Sequence, residues 1–181
     1  MNNGVSDKNG AIKSMLKAKY QRKKNDVIVK GPIEAGIEIL AYNLLDECID
    51  ESEYSLVDIN RIERSQDPRL NTDVGIPDMG VFSNDFQFGE INKGCVYGFV
   101  EVKAAGKGVR ETKQFEGEVK AAKRLIYTNG LVWKIYCNGK LQDEINLMKG
   151  DEKPYSLIPV EIDEKKLGQL QDILKSIYWK N

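Results

Sequence analysis

Not one of the 181 residues is a histidine. That absence removes Ser/His/Asp hydrolysis, Cys/His chemistry, HExxH metalloproteolysis and histidine-based nuclease sites. Cysteine is almost as scarce. Cys48, Cys95 and Cys137 stand far apart without CxxC spacing, so neither a disulfide framework nor a structural zinc is expected, and all three are read as reduced core residues. No GxxxxGK[ST] loop is present, which removes a P-loop NTPase. No apolar run is long enough to span a bilayer, and the polar start MNNGVSDKNG lacks a signal-peptide core. The expectation is a cytoplasmic protein with no membrane partner, whose chemistry falls to carboxylates, lysines and a divalent ion.

What is there suits one globular domain: 41% of the residues are hydrophobic and 30% charged, an ordinary balance for a soluble α/β chain of this length. The net charge of −1 conceals an asymmetry. Residues 1–30 hold eight Lys/Arg against Asp7 and Asp26, whereas residues 34–53 hold seven acids and no base. Two readings of the basic arm stand. It contacts phosphates, with Lys13, Lys17, Arg22, Lys23 and Lys24 as the DNA-binding candidates, or it is a solvated charge run. The domain division expected is a loosely attached basic arm or helix over 1–30 and a single domain over 31–181.

Periodicity orders the rest. AIKSMLKAKYQRKK has helical spacing at Ile12, Leu16 and Tyr20, and a second helix follows Gly31 with a stripe of Ile37, Leu40, Ala41, Leu44 and Leu45. YSLVDINRIE, IPDMGVFS and VYGFVEVK read as strands. RETKQFEGEVKAAK reads as a helix, and RLIYTNGLVWKIYCNGKLQDEINL as three strands joined at two Asn-Gly pairs. A final helix spans 163–179. This order predicts an α/β fold, a mixed central sheet flanked by helices.

The chemistry concentrates in YGFVEVKAAGKG, residues 97–108. In a strand, positions i and i+2 share a face, so Glu101 and Lys103 point one way while Val100 and Val102 point the other. The [DE]-x-Lys pattern recurs cheaply in this chain, as at Glu118-Val119-Lys120, but only the copy at 101 ends an apolar strand. Pairing that strand antiparallel to Ile76-Pro77-Asp78 brings Asp78 beside Glu101. Two such carboxylates repel, and a hard cation relieves them. Lys103 then serves an attacking water and the charge on a phosphate. A surface salt bridge is the plain alternative.

Pro77-Asp78 followed by Glu101-Val102-Lys103 resembles the signature of the PD-(D/E)XK nuclease superfamily. The continuation EVKAAGKG, a helix with Gln114, and YTNGLVWKIY resemble the N-terminal nuclease domain of type I restriction enzyme R subunits, over roughly residues 34–145. The resemblance implies a restriction-endonuclease-like fold and a magnesium-dependent DNA endonuclease, manganese being a possible substitute, connected with restriction or mobile elements. It implies metal binding by Asp78, Glu101, the Val102 carbonyl and Glu34, with Glu38 on the same helical face. Catalytic roles fall to Asp78, Glu101, Lys103 and Gln114. Where the family often has a tyrosine four residues after the glutamine, this chain has Glu118. The expected partner is DNA, and a homodimer is compatible with cutting both strands. Motor or methyltransferase functions would come from separate subunits, or the protein acts alone. The rival expectation is a non-catalytic nucleic-acid-binding or assembly module.

Overall fold

The computed structural model describes residues 3–110, 112–150 and 155–180, with side chains from Met15 onward except at 113, 114 and 121. Helices α1 (Asn3–Lys30) and α2 (Glu34–Asp46) precede strands β1 (Tyr54–Asp58), β2 (Met79–Ser83) and β3 (Val96–Val102). Helix α3 (Lys113–Ala121), strands β4 (Arg124–Thr128), β5 (Val132–Cys137) and β6 (Lys140–Asn146), and helix α4 (Glu164–Ser176) complete the chain. The expected order of elements is the observed one. Among the described residues no helix is long and apolar enough to cross a membrane.

The six strands lie in chain order, β1-β2-β3-β4-β5-β6. Every neighbouring pair is antiparallel except β3 and β4, which run parallel with α3 as their crossover. The fold is therefore α/β with a mixed sheet, consistent with a restriction-endonuclease-like architecture. The Asn138-Gly139 pair makes a two-residue turn from Cys137 to Lys140, with φ of 48° and 77°. Positive φ at both central positions matches the strand twist, which is why Asn-Gly marks such hairpins. The Asn129-Gly130 turn is wider, with Thr128 opposite Trp133.

One core lies under α1, α2 and α4. The α2 stripe Ile37, Leu40, Ala41, Leu44 and Leu45 is buried there with Val100, Val102, Ile126, Trp133, Leu167, Leu170 and Leu174. The second core lies under α3, where Phe115, Val119 and Ala122 meet Phe99, Leu125, Tyr127 and Tyr136. The two valines of Val100-Glu101-Val102 thus face the first core, and Glu101 is turned toward the α3 side, as alternation requires. Trp133 and Tyr136 are packing residues. Of the cysteines only Cys48 is buried. Cys95 is exposed and Cys137 intermediate, so the expectation of three core cysteines is corrected, although all are free.

The expectation that the basic segment is loosely attached is corrected. The segment is a helix, but its second half is fastened to the domain. Tyr20 is buried and its hydroxyl donates to the Gly130 carbonyl at 2.8 Å; Asn25 bonds the backbone of Val160, and the Ile162 amide donates to Gln21. The corner between α1 and α2 is close: a Cβ on Gly36 would lie 2.8 Å from the Val27 side chain. The hydrogen-bond partners of Tyr20, Gln21 and Asn25 are more than a hundred residues away, so helical spacing alone carried no sign of them.

Candidate active site

β2 and β3 pair with Met79 opposite Val100, which sets Asp78 and Glu101 side by side at one end of the sheet. Asp78 stands just before β2. Its backbone carbonyl accepts from Ile59 at 2.9 Å, and its Oδ2 accepts from the Val102 amide at 2.6 Å, across the two strands. Glu101 is 4% exposed, and its Oε1 forms an ion pair with the Lys103 ammonium. The parallel register places Tyr127 beside Glu101, and the Lys103 ammonium lies 5.7 Å from the centre of the Tyr127 ring. Tyr127 is packed from the other side by Phe115 of α3, ring centres 5.1 Å apart.

These surroundings oppose negative charge. Burial first, then the neighbouring Glu101, raises the Asp78 carboxyl well above its ordinary range, although the Val102 amide works the other way. Burial first and then Glu118 raise Glu101, with Lys103 opposing. Burial works against the charge of Lys103, but the Glu101 carboxylate more than offsets it, and its pKa is raised. Burial, joined by Glu101, Glu118 and Glu34, pushes the Tyr127 hydroxyl up to about 12. Two repelling carboxylates beside one ammonium form a centre with an unsatisfied demand for positive charge.

Glu34 opens α2, and its Oε2 accepts from the Ala104 amide at 3.0 Å, directly after Lys103. Glu38, one turn on, accepts from Asn60 at 3.0 Å; burial, Glu34 and Asp58 raise its pKa. Among the described residues no group of three or more acidic or other metal-binding side chains is gathered closely enough to hold an ion by itself. The side chain of Gln114 lies outside the described residues, although its position falls on α3.

Glu118 was read from the sequence as a departure and as part of a decoy triplet. It is 3% exposed and acts on Glu101. A signal was available: Phe115, Val119 and Ala122 form the buried stripe of α3, and Glu118 falls within it, three residues after Phe115.

The Thr-Asn-Gly turn is the mechanical support of the site. The Lys103 amide donates to the Thr128 carbonyl at 2.8 Å. The buried Asn129 accepts from the amides of Leu131 and Val132 and donates to the Lys107 carbonyl at 2.7 Å. One turn thus holds both the strand end and the loop beyond it.

The DNA-binding candidates on α1 are not a uniform positive face. Lys17 lies 3.7 Å from Glu161. Lys24 is fully buried, which lowers its pKa to about 8 and leaves it out of reach of a phosphate on the surface. Arg22 is exposed and Lys23 half-buried, while the side chain of Lys13 lies outside the described residues.

No family profile matches the chain, and no curated protein is similar to it. Among solved structures, a chain in the cryo-electron-microscopy structure of a DrdV–DNA complex superimposes with a TM-score of 0.57 at 12% sequence identity. The match covers 92% of this chain but 14% of that one. At such an identity the likeness shows a shared fold.

Proposed function

We propose that the protein is a magnesium-dependent DNA endonuclease of the PD-(D/E)XK type, hydrolysing phosphodiester bonds. The observation that carries this reading is the meeting of Asp78, Glu101 and Lys103 at the end of β2 and β3, with both carboxyl groups held above their ordinary pKa. An exposed salt bridge would need no second carboxylate pressed against it. The match to a chain from a DNA complex supports the choice of substrate.

The donor set fits magnesium. It is made of oxygen, and magnesium is usually held by one or two carboxylates with water and phosphate oxygens completing the shell, so a three-acid cage is not required. Asp78 and Glu101 would hold the ion, with the Val102 carbonyl and Glu34 as further candidates. When bound, such an ion lowers the pKa of water and stabilises charge on a phosphate. Lys103 supplies the complementary positive charge and positions the attacking water by hydrogen bonding. Tyr127 and Phe115 wall the site on the α3 side.

Cutting both strands of a duplex requires two sites, so a homodimer or two successive events belongs to the proposal. Motor or methyltransferase partners, and a role in restriction or in mobile elements, also stand as proposals. The test is incubation of the purified protein with supercoiled plasmid and magnesium or manganese, followed by a chelator. Nicked or linear product that disappears with the chelator supports the nuclease. Tight DNA binding without cleavage under any of these ions would make the protein a binding module instead.

A further inference from the structure

We infer that the loop over residues 104–110 is the DNA-backbone contact of this site, with Lys107 and Arg110 each taking a phosphate oxygen. The inference rests on the nuclease reading for the identity of the polyanion, and it replaces α1 as the principal source of positive charge.

The loop has an inside and an outside. Ala105 and Val109 are buried, while Lys107 and Arg110 are exposed. Its backbone is tied at three points: the Lys107 amide closes a turn onto the Ala104 carbonyl at 2.8 Å, Asn129 holds the Lys107 carbonyl at 2.7 Å, and Ser156 donates to the Ala105 carbonyl at 3.2 Å. The turn from 104 to 107 brings its end residues within about 7 Å of each other, so Lys107 returns to the neighbourhood of Lys103. The Arg110 guanidinium rests 5.8 Å from the centre of the Tyr155 ring, a stacking that leaves its fork of donors free.

Charge accounting distinguishes the loop from most of the helix, where Arg22 and Lys23 alone of the described cations outside the core have no ion pair. On α1, Lys17 pairs with Glu161, Lys19 with Glu47 at 3.2 Å, and Lys30 with Asp26 at 2.8 Å. Among the described residues neither Lys107 nor Arg110 has an acidic partner within salt-bridge distance. A cation already paired with a carboxylate gives up that pair when it takes a phosphate, whereas these two have no such pair to give up among the described residues. They also follow Lys103 closely in the chain. The ties from Asn129 and Ser156 fix the loop in advance, which reduces the ordering cost of binding.

The experiment measures binding apart from cleavage. A fluorescein-labelled DNA duplex is titrated with the full-length protein in chelator across a series of salt concentrations. The Lys107→Gln/Arg110→Gln variant is compared with Lys17→Gln/Lys19→Gln. The loop variant is expected to bind about tenfold more weakly at low salt, with the log–log salt slope flattened by about 1.8, two phosphate contacts at 0.9 each. The helix variant is expected to bind within about twofold of wild type, consistent with little counterion release from already paired cations. Lys107→Gln alone should show about half of the slope change, which guards against a folding defect at Arg110. Thermal melts of each variant accompany the titrations.

An unchanged slope in the loop variant, or no DNA binding by wild type at any salt, overturns the inference. Loss of slope in the helix variant with none in the loop variant does so as well. Wild-type cleavage with an unchanged loop variant would sink the loop while sparing the nuclease. The expected slope change in a protein that cleaves nothing would spare the loop and sink the nuclease.

Discussion

Glu-Val-Lys occurs twice in this chain, at 101–103 where β3 ends and at 118–120 within α3. On the strand, positions two apart share a face, and Glu101 forms an ion pair with Lys103. On the helix, positions two apart are rotated by about 200°, so Glu118 is buried and Lys120 exposed. The same three residues make a paired centre on one backbone and a divided one on the other. A spacing therefore carries chemical meaning only together with its local periodicity. The division has its own result, because α3 turns Glu118 toward Glu101 and adds to the crowding of negative charge there.

The largest expected effect breaks the strand copy. Lys103→Ala should lower plasmid cleavage by on the order of 100-fold or more, the range for removing one preorganised group that stabilises transition-state charge. Lys120→Ala should cut at nearly the wild-type rate. Initial nicking rates for the two variants check this, and a Lys103→Ala protein as fast as wild type would return the triplet to the class of surface salt bridges.

Metal linkage comes next. Magnesium at a hundred times its dissociation constant should stabilise the wild-type fold by about 2.7 kcal/mol, since it binds the folded state alone. Asp78→Asn should abolish that shift without unfolding the protein. Calorimetric titration showing unchanged magnesium affinity in Asp78→Asn would move the ion away from these strands.

The pH dependence of the metal-free protein is a smaller effect with a definite sign. Asp78 and Glu101 have native pKa values above their unfolded ones, so the folded state binds more protons. Their contribution is fully present below about pH 4, near the ordinary carboxylate values, and is lost as the pH rises toward neutrality. Melting curves in chelator should show this decline, and Asp78→Asn should flatten it. The smallest effect sharpens the comparison on the helix. Glu118→Gln should reduce the decline only in part, and Lys120→Gln should leave it as it is. Equal slopes in all three variants would mean that the carboxylates do not interact.

The order of helices and strands was legible because each is written in short-range periodicity, and the second Asn-Gly pair even set the first pairings of β5 on β6, up to the irregularity at Ile135 and Tyr136. Asp78, Glu101 and Lys103 were legible as neighbours because an antiparallel pair places the start of one strand beside the end of the next. What escaped depends on distant partners. The burial of Lys24, the attachment of Tyr20 to Gly130 and the hold of Asn129 on Lys107 join segments that no local window contains. Glu118 escaped for a different reason: it was read as a departure from the family's tyrosine and as part of a second Glu-Val-Lys triplet, and the apolar stripe of α3 that buries it was not weighed.

The lone parallel pairing in the sheet makes the molecule two three-stranded meanders joined along a seam. The first meander brings Asp78, Glu101 and Lys103, and the second brings Tyr127, Thr128 and Asn129, which wall and brace them. Each meander closes through local antiparallel pairings, whereas the seam waits on the longer crossover through α3. The carboxylate and lysine centre is thus braced across the seam, the Thr128 carbonyl holding the Lys103 amide, and not by its own meander alone. A chain that had formed only the first meander would carry the three side chains without that brace, so whatever the centre does depends on both halves of the sheet having met.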